Sequence, residues 1–169
     1  PDVTVELEQD LDAGKANLTV RQSCAPSPGQ TDKAPYHIPF AVGLLDEAGR
    51  DVAFEAADAA VIEREGDAFT AILNVTETEQ TFTLGGVATP VVPSLLRGFS
   101  APVKLSYDYG RGDLEFLASH DVDGFNRWEA GQRLAIEVMQ DLVQDPEASI
   151  DDACAVSVDD SASRVAGVV

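Results

Sequence analysis

Histidines, cysteines and carboxylates carry most protein chemistry, and this chain has two, two and 30 of them. Zinc hydrolysis needs several His or Cys ligands in close register, typically two His one helical turn apart. His37 precedes a strand-like segment, His120 follows a short helical one, and the chain contains no H-E-x-x-H. Its own ligands therefore do not make a zinc site. Nucleophilic catalysis by a thiol requires a base held by a third group. Cys24 and His37 flank the Pro-rich loop Ala25-Pro26-Ser27-Pro28-Gly29, with no orienting partner evident. Cys154 lies in an acidic segment, which raises a thiol pKa. Two reduced bystander thiols are the simpler reading.

Calcium fares no better. Asp121-Val122-Asp123-Gly124 opens like an EF-hand loop, but the glycine comes at the fourth position rather than the sixth. The twelfth position is Gln132 rather than Glu, so an acidic turn and helix cap fit better. Gly85-Gly86 and Gly110-Arg111-Gly112 are too short to cradle a phosphate. Asn17-Leu18-Thr19 and Asn74-Val75-Thr76 have the form of glycosylation sequons, which mean little without a secretory signal. No catalytic, metal or cofactor-binding residue is assigned.

The net charge of −19, with 11 basic residues, repels phosphate backbones and argues against nucleic-acid binding. Only Lys15, Lys33 and Lys104 are lysines, an acid-rich, Lys-poor surface suited to a salty interior. No apolar run approaches the roughly 18 residues of a membrane helix. The start, Pro1-Asp2-Val3-Thr4-Val5, lacks both a signal-peptide pattern and an initiator Met, so the chain is expected to begin inside something longer. A cytoplasmic location follows from the sparse cysteines.

Residues 1–107 read as β. Val3, Val5 and Leu7 alternate with polar residues, Asp12-Ala13-Gly14-Lys15 turns the chain, and Leu18, Val20 and Gln22 resume the alternation. Ile38, Phe40, Val42 and Leu44 form a further strand, and Val52-Ala53-Phe54 is expected to return after the turn at 46–50. Residues 55–68 read as irregular and acidic. Ala71–Val75, Thr81–Leu84, Val91–Leu96 and Val103–Tyr107 complete the set. Short strands at regular spacing predict an antiparallel β-sandwich.

After Asp108 the pattern becomes helical. Asp113–Leu117 reads as a short helix, and Asp123 caps a longer one running to about Gln144. Phe125, Trp128, Gln132, Ala135, Met139 and Leu142 fall on one face of it. Asp145-Pro146 stops it, and Ser161–Val169 reads as a further helix cut short. The 1–107 region carries seven basic and 16 acidic residues, and 108–169 carries four and 14, so the shorter part is more acidic per residue.

Several stretches together resemble one family: Arg21-Gln22, Pro26–Gln30, His37–Leu45, Leu73–Glu77, Pro93–Val103 and Phe125–Ala130. In this order and spacing they are similar to the region after the catalytic domain of bacterial aminopeptidase N, the M1 class of zinc aminopeptidases. The resemblance covers about residues 1–140. It implies an immunoglobulin-like β-sandwich (1–107) that links the metallopeptidase domain to the first helices of a truncated helical domain (108–169). It implies zinc, and action on peptide substrates, only in the parent. The family's H-E-x-x-H and G-A-M-E-N motifs are absent from this chain, so no catalytic residue carries over.

On this reading Phe99 and Trp128 are interdomain packing residues at the sandwich–helix junction; Trp128 packed within the helical core is the plainer alternative. A truncated helical domain leaves apolar surface exposed, giving an expectation of weak self-association through the C-terminal helices. The competing functional readings are a stand-alone immunoglobulin-like binding module and an enzyme using a site such as Cys24. The charge balance makes one expectation measurable. Screening the self-repulsion should raise the melting temperature between low and molar salt, and a flat or falling trend by circular dichroism would refute the saline reading.

Overall fold

The structure, a computed structural model, describes residues 1–144. It forms two compact units, Pro1–Asp108 and one beginning at Tyr109. The first contains β1 (Asp2–Asp10), β2 (Lys15–Ser23), β3 (Ile38–Leu45), β4 (Glu55–Ala56), β5 (Ala59–Glu65), β6 (Ala68–Val75), β7 (Glu79–Gly85), β8 (Val92–Leu95) and β9 (Lys104–Ser106). They make two sheets, ordered β4-β7-β2-β1-β9 and β5-β6-β3-β8. The expected immunoglobulin-like sandwich followed by helices is the observed architecture.

Alternation explains the core. Val3 and Val5, Leu18 and Val20, and Phe82 and Leu84 are buried on one sheet, while their neighbours face water. Phe40, Val42, Leu44, Phe69, Ala71, Leu73, Val75 and Leu95 are buried on the other. Each large side chain so buried contributes on the order of 1.5–3 kcal/mol. The β1–β2 hairpin turns where expected: the Gly14 N–H donates to the Leu11 carbonyl at 3.1 Å, with Gly14 at φ +63°. A left-handed residue there costs glycine nothing.

Three expectations fail, each for a physical reason. Residues 55–68 are not irregular: they hold β4 and β5. β5 lies at a sheet edge with every residue after Ala59 exposed, so no buried face imposes alternation on its sequence. Val52-Ala53-Phe54 is not a strand. Pairing with β3 ends after the Leu45–Asp51 bridge and the bond from the Val52 N–H to the Leu44 carbonyl at 2.8 Å. Phe54 instead buries itself edge-on to Phe69, ring centroids 4.8 Å apart. The sandwich is also not wholly antiparallel, because β9 pairs parallel with β1.

The second unit holds α1 (Arg111–His120) and α2 (Gly124–Gln144). α1 starts two residues earlier than the sequence suggests, because the Asp113 carboxylate accepts the Gly110 N–H at 3.2 Å and closes the first turn. Asp123 caps α2 as expected, its Oδ1 accepting the Asn126 N–H at 2.9 Å. Asp121 forms the turn before α2, its Oδ1 accepting the Asp123 N–H at 2.9 Å. Arg111 on α1 binds Glu137 and Asp141 on α2.

The face of α2 is the main correction here. Asn126 and Ala130 are the buried positions, whereas Phe125, Trp128 and Met139, expected on one apolar face, are exposed, as are Ile136 and Val143. α1 covers a stripe beginning at Asn126, and the larger side chains lie on the other side. The stop at Asp145-Pro146, the helix at 161–169 and Cys154 lie outside the described residues. No helix of the described residues is long and apolar enough to cross a membrane. Removing the cap with Asp123→Ala should cost about 1 kcal/mol in a urea melt followed by helical circular dichroism. An unchanged midpoint would show that the cap does not hold α2.

Candidate functional site

The chemistry-bearing residues named from sequence are scattered rather than convergent. His37 Nε2 pairs with Asn74 Oδ1 at 2.8 Å. The partners of Cys24 are instead Lys33 Nζ at 3.4 Å and the Tyr36 hydroxyl at 3.8 Å. The Tyr36 hydrogen bond, reinforced by Lys33, holds the thiol below its usual pKa. His120 stacks on Phe116 and bonds the Phe116 carbonyl at 3.0 Å. Among the described residues no group of three or more His, Cys, Asp or Glu could hold a metal ion.

Arg97 and Asp51 form an ion pair with side chains 4% and 1% exposed. Two nitrogens of Arg97 meet both carboxylate oxygens, Nη1 to Oδ2 at 2.6 Å and Nη2 to Oδ1 at 2.9 Å. Nη1 also donates to the Phe69 carbonyl at 3.1 Å and Thr70 Oγ1 at 3.2 Å, and Nε donates to Ser94 Oγ at 2.8 Å. Asp51 Oδ2 accepts the Phe69 N–H at 2.8 Å. A buried charge pair offsets its desolvation only when its remaining donors and acceptors are satisfied, and these are well supplied.

The guanidinium has a prepared seat. Gly43 on β3 is opposite Ser94 on β8, and Thr70 on β6 directly precedes Ala71, the partner of Val42. Arg97 reaches both hydroxyls across the glycine between them. A Cβ on Gly43 would lie 2.1 Å from Arg97 Cζ, so no other residue fits there without displacing the pair. Gly43 was visible in sequence only as part of a resemblance, and Asp51 not at all. A basic residue directly after Ser94-Leu95-Leu96, in a chain poor in cations, was the available signal.

Arg97 also anchors a strained turn. Leu96, Gly98 and Phe99 have φ of +55°, +61° and +52°. Left-handed backbone at a non-glycine residue costs of order 1–3 kcal/mol. The far end is pinned by the Ala41 N–H, which donates to Ser100 Oγ at 3.0 Å. Phe99, expected in interdomain packing, is 51% exposed, and Trp128 is 58% exposed with its ring centroid 6.1 Å from that of Phe125. Trp128 is therefore not packed in a helical core among the described residues.

Fold and site together define an immunoglobulin-like sandwich stiffened by a buried arginine clamp and followed by a helical unit. The chain belongs to the DUF3458 family: residues 1–108 match that domain of unknown function, described as an Ig-like fold. Residues 111–164 match DUF3458_C, described as ARM repeats. Relatives include aminopeptidase N of Escherichia coli K12, 38% identical over 79% of this chain and 14% of its own length. Aminopeptidase N of Haemophilus influenzae is 34% identical over 85% of this chain and 16% of its own length. That of Caulobacter vibrioides is 42% identical over 82% and 14%. Among solved structures, Legionella pneumophila aminopeptidase A in complex with aspartic acid aligns with TM-score 0.66 and 27% identity, over 88% of this chain and 15% of that one. The resemblance to aminopeptidase N is borne out, and the chain spans about one-seventh of the length of these relatives.

The clamp makes a sharp prediction. Gly43→Ala should drive the guanidinium out of its seat, leave Asp51 buried without its partner, and cost about 3–5 kcal/mol. A chemical-denaturation midpoint within error of the wild type would show that the seat is not needed.

Proposed function

We propose that this chain is a non-catalytic part of a zinc aminopeptidase of the aminopeptidase N type, linking its metallopeptidase domain to its helical domain. The observation that carries the reading is the shape of the alignments. Three aminopeptidases N match over 79–85% of this chain but only 14–16% of their own lengths. H-E-x-x-H is absent from this sequence, so the hydrolytic zinc belongs to the remainder of the parent. There zinc would supply the activation of water needed to hydrolyse the first peptide bond of a substrate with a free α-amine. The proposed partners are the parent's catalytic and helical domains, with peptides met only through them.

Within this role Phe99 and Trp128 are the proposed interdomain packing residues, since both are large, apolar and more than half exposed in this chain. Burying either against a neighbouring domain would contribute on the order of 1.5–3 kcal/mol. The exposed stripe of Phe125, Trp128, Ile136 and Met139 is of the kind that stacked helical repeats cover with the next repeat. With two cysteines in 169 residues, a reducing cytoplasm is the proposed compartment.

The test combines gene and enzyme. The open reading frame should continue upstream through H-E-x-x-H, and the full polypeptide should bind zinc and release amino-terminal residues from an alanyl reporter. The 169-residue chain alone should do neither. Stoichiometric zinc or turnover from this chain alone, or a reading frame without the motif, would overturn the proposal.

A further inference from the structure

Two nucleophiles lie in contact on the segment between β2 and β3. Lys33 Nζ is 3.4 Å from Cys24 Sγ, and the Tyr36 hydroxyl is 3.8 Å from the same sulfur. The fold brings them together from both ends of the segment. Near the end of β2, the carboxamide of Gln22 accepts the Tyr36 N–H at 2.8 Å and donates to the Tyr36 carbonyl at 2.8 Å. It also donates to the Glu77 carbonyl at 3.1 Å, which pins the neck of the segment to the turn between β6 and β7. Further out, Ser27 and Gln30 exchange backbone hydrogen bonds at 3.0 and 2.9 Å. That reversal returns Lys33 to Cys24. Both residues are half-buried, so a small solute can reach the sulfur.

The thiolate is the reactive form of cysteine. The Tyr36 hydrogen bond, with Lys33 after it, favours that form even in a chain carrying −19. Lys33 matters by its type. An arginine would hold a thiolate equally well, but it keeps its proton and does not attack sulfur. A lysine can do both, and Lys33 is one of three lysines among 11 basic residues.

We propose that Cys24 and Lys33 form a redox-responsive cross-linking site, in which a hydroperoxide oxidises the sulfur and the lysine amine captures it as a sulfur–nitrogen bond. First, the thiolate attacks the terminal oxygen of the hydroperoxide. An S–O bond forms, the O–O bond breaks, and the departing oxygen takes a proton from the Lys33 ammonium. The sulfur loses two electrons to the peroxide and becomes a sulfenic acid. Loss of its proton leaves Lys33 a neutral amine with a free lone pair, 3.4 Å from that sulfur in the starting geometry. Second, the amine attacks the sulfenic sulfur. The S–N bond forms, the S–O bond breaks, and hydroxide leaves with the amine's proton as water. Thiol, amine and hydrogen peroxide thus give a sulfenamide and two waters. A dithiol reverses the link by attacking the sulfur, releasing the amine and closing on itself as a disulfide. The cross-link needs no other part of a longer polypeptide, so it stands or falls apart from the proposed function.

Hydrogen peroxide added to the 169-residue chain should give a product lighter by two hydrogens. Tandem mass spectrometry should place the link between Cys24 and Lys33, and dithiothreitol should remove it. Lys33→Arg keeps a cation beside the sulfur but removes the amine. It should lose the link entirely and take up dimedone at Cys24, as a sulfenic acid does. Cys154→Ser leaves Cys24 as the one thiol and should link as the wild type does. A two-hydrogen loss that vanishes in Cys154→Ser would be a disulfide between the two cysteines and would overturn the proposal. Equal dimedone uptake by wild type and Lys33→Arg would overturn it as well, since Lys33 would then capture nothing. So would oxidation to the sulfinic acid without a link, or a Cys24 that stays reduced.

Discussion

A guanidinium buried among apolar strands needs each N–H directed at an acceptor, and this requirement organises the first unit. Arg97 draws in Asp51 from the segment after β3, Thr70 and the Phe69 carbonyl from β6, and Ser94 from β8. Two strands of one sheet, β6 and β8, and a connecting segment are thereby fixed to one side chain that lies against Gly43 of β3 between them. In a low-dielectric setting each such bond is stronger than in water, and each missing partner is correspondingly costly. The clamp also accounts for an odd feature of β3, which is buried on both faces from Phe40 to Leu45. One face meets the opposite sheet, and the other has Arg97 against Gly43 and Ser100 against Ala41.

The scarcity of cations gives this arrangement context. With 11 basic residues against 30 acidic ones, several of the described cations join elements. Arg21 on β2 reaches Glu6 on β1 and Glu79 on β7, and Arg111 ties α1 to α2. The exposed pairs contribute little individually and weaken in salt. The Arg97–Asp51 pair is shielded from both limits by its burial.

The described surface is polar at its turns and helix caps and carries a few exposed apolar side chains. Its polar clusters close turns, cap helices and seat Arg97, while its large apolar groups outside the core, Phe99 and the Phe125–Trp128 pair, stand half exposed. The relatives set the scale, since the chain accounts for about one-seventh of each. Membership of the DUF3458 family, Ig-like and ARM-repeat descriptions together, agrees with a sandwich followed by helices.

Local rules made much of this legible. Period-two alternation revealed β1 and β2 because each has one dry and one wetter face. Asp123 revealed the start of α2 because a cap acts within three residues. Ligand poverty was equally plain, since it is a matter of counting imidazoles and thiols. Where alternation fails, as on the exposed edge strand β5, the sequence lost the element. What only the tertiary structure decided are pairings between distant residues: Asp51 with Arg97, 46 positions apart, and the choice of which stripe of α2 lies against α1. Periodicity reports that a face is apolar but not what covers it, and a buried ion pair leaves no local trace because its partners meet only when the sheets close.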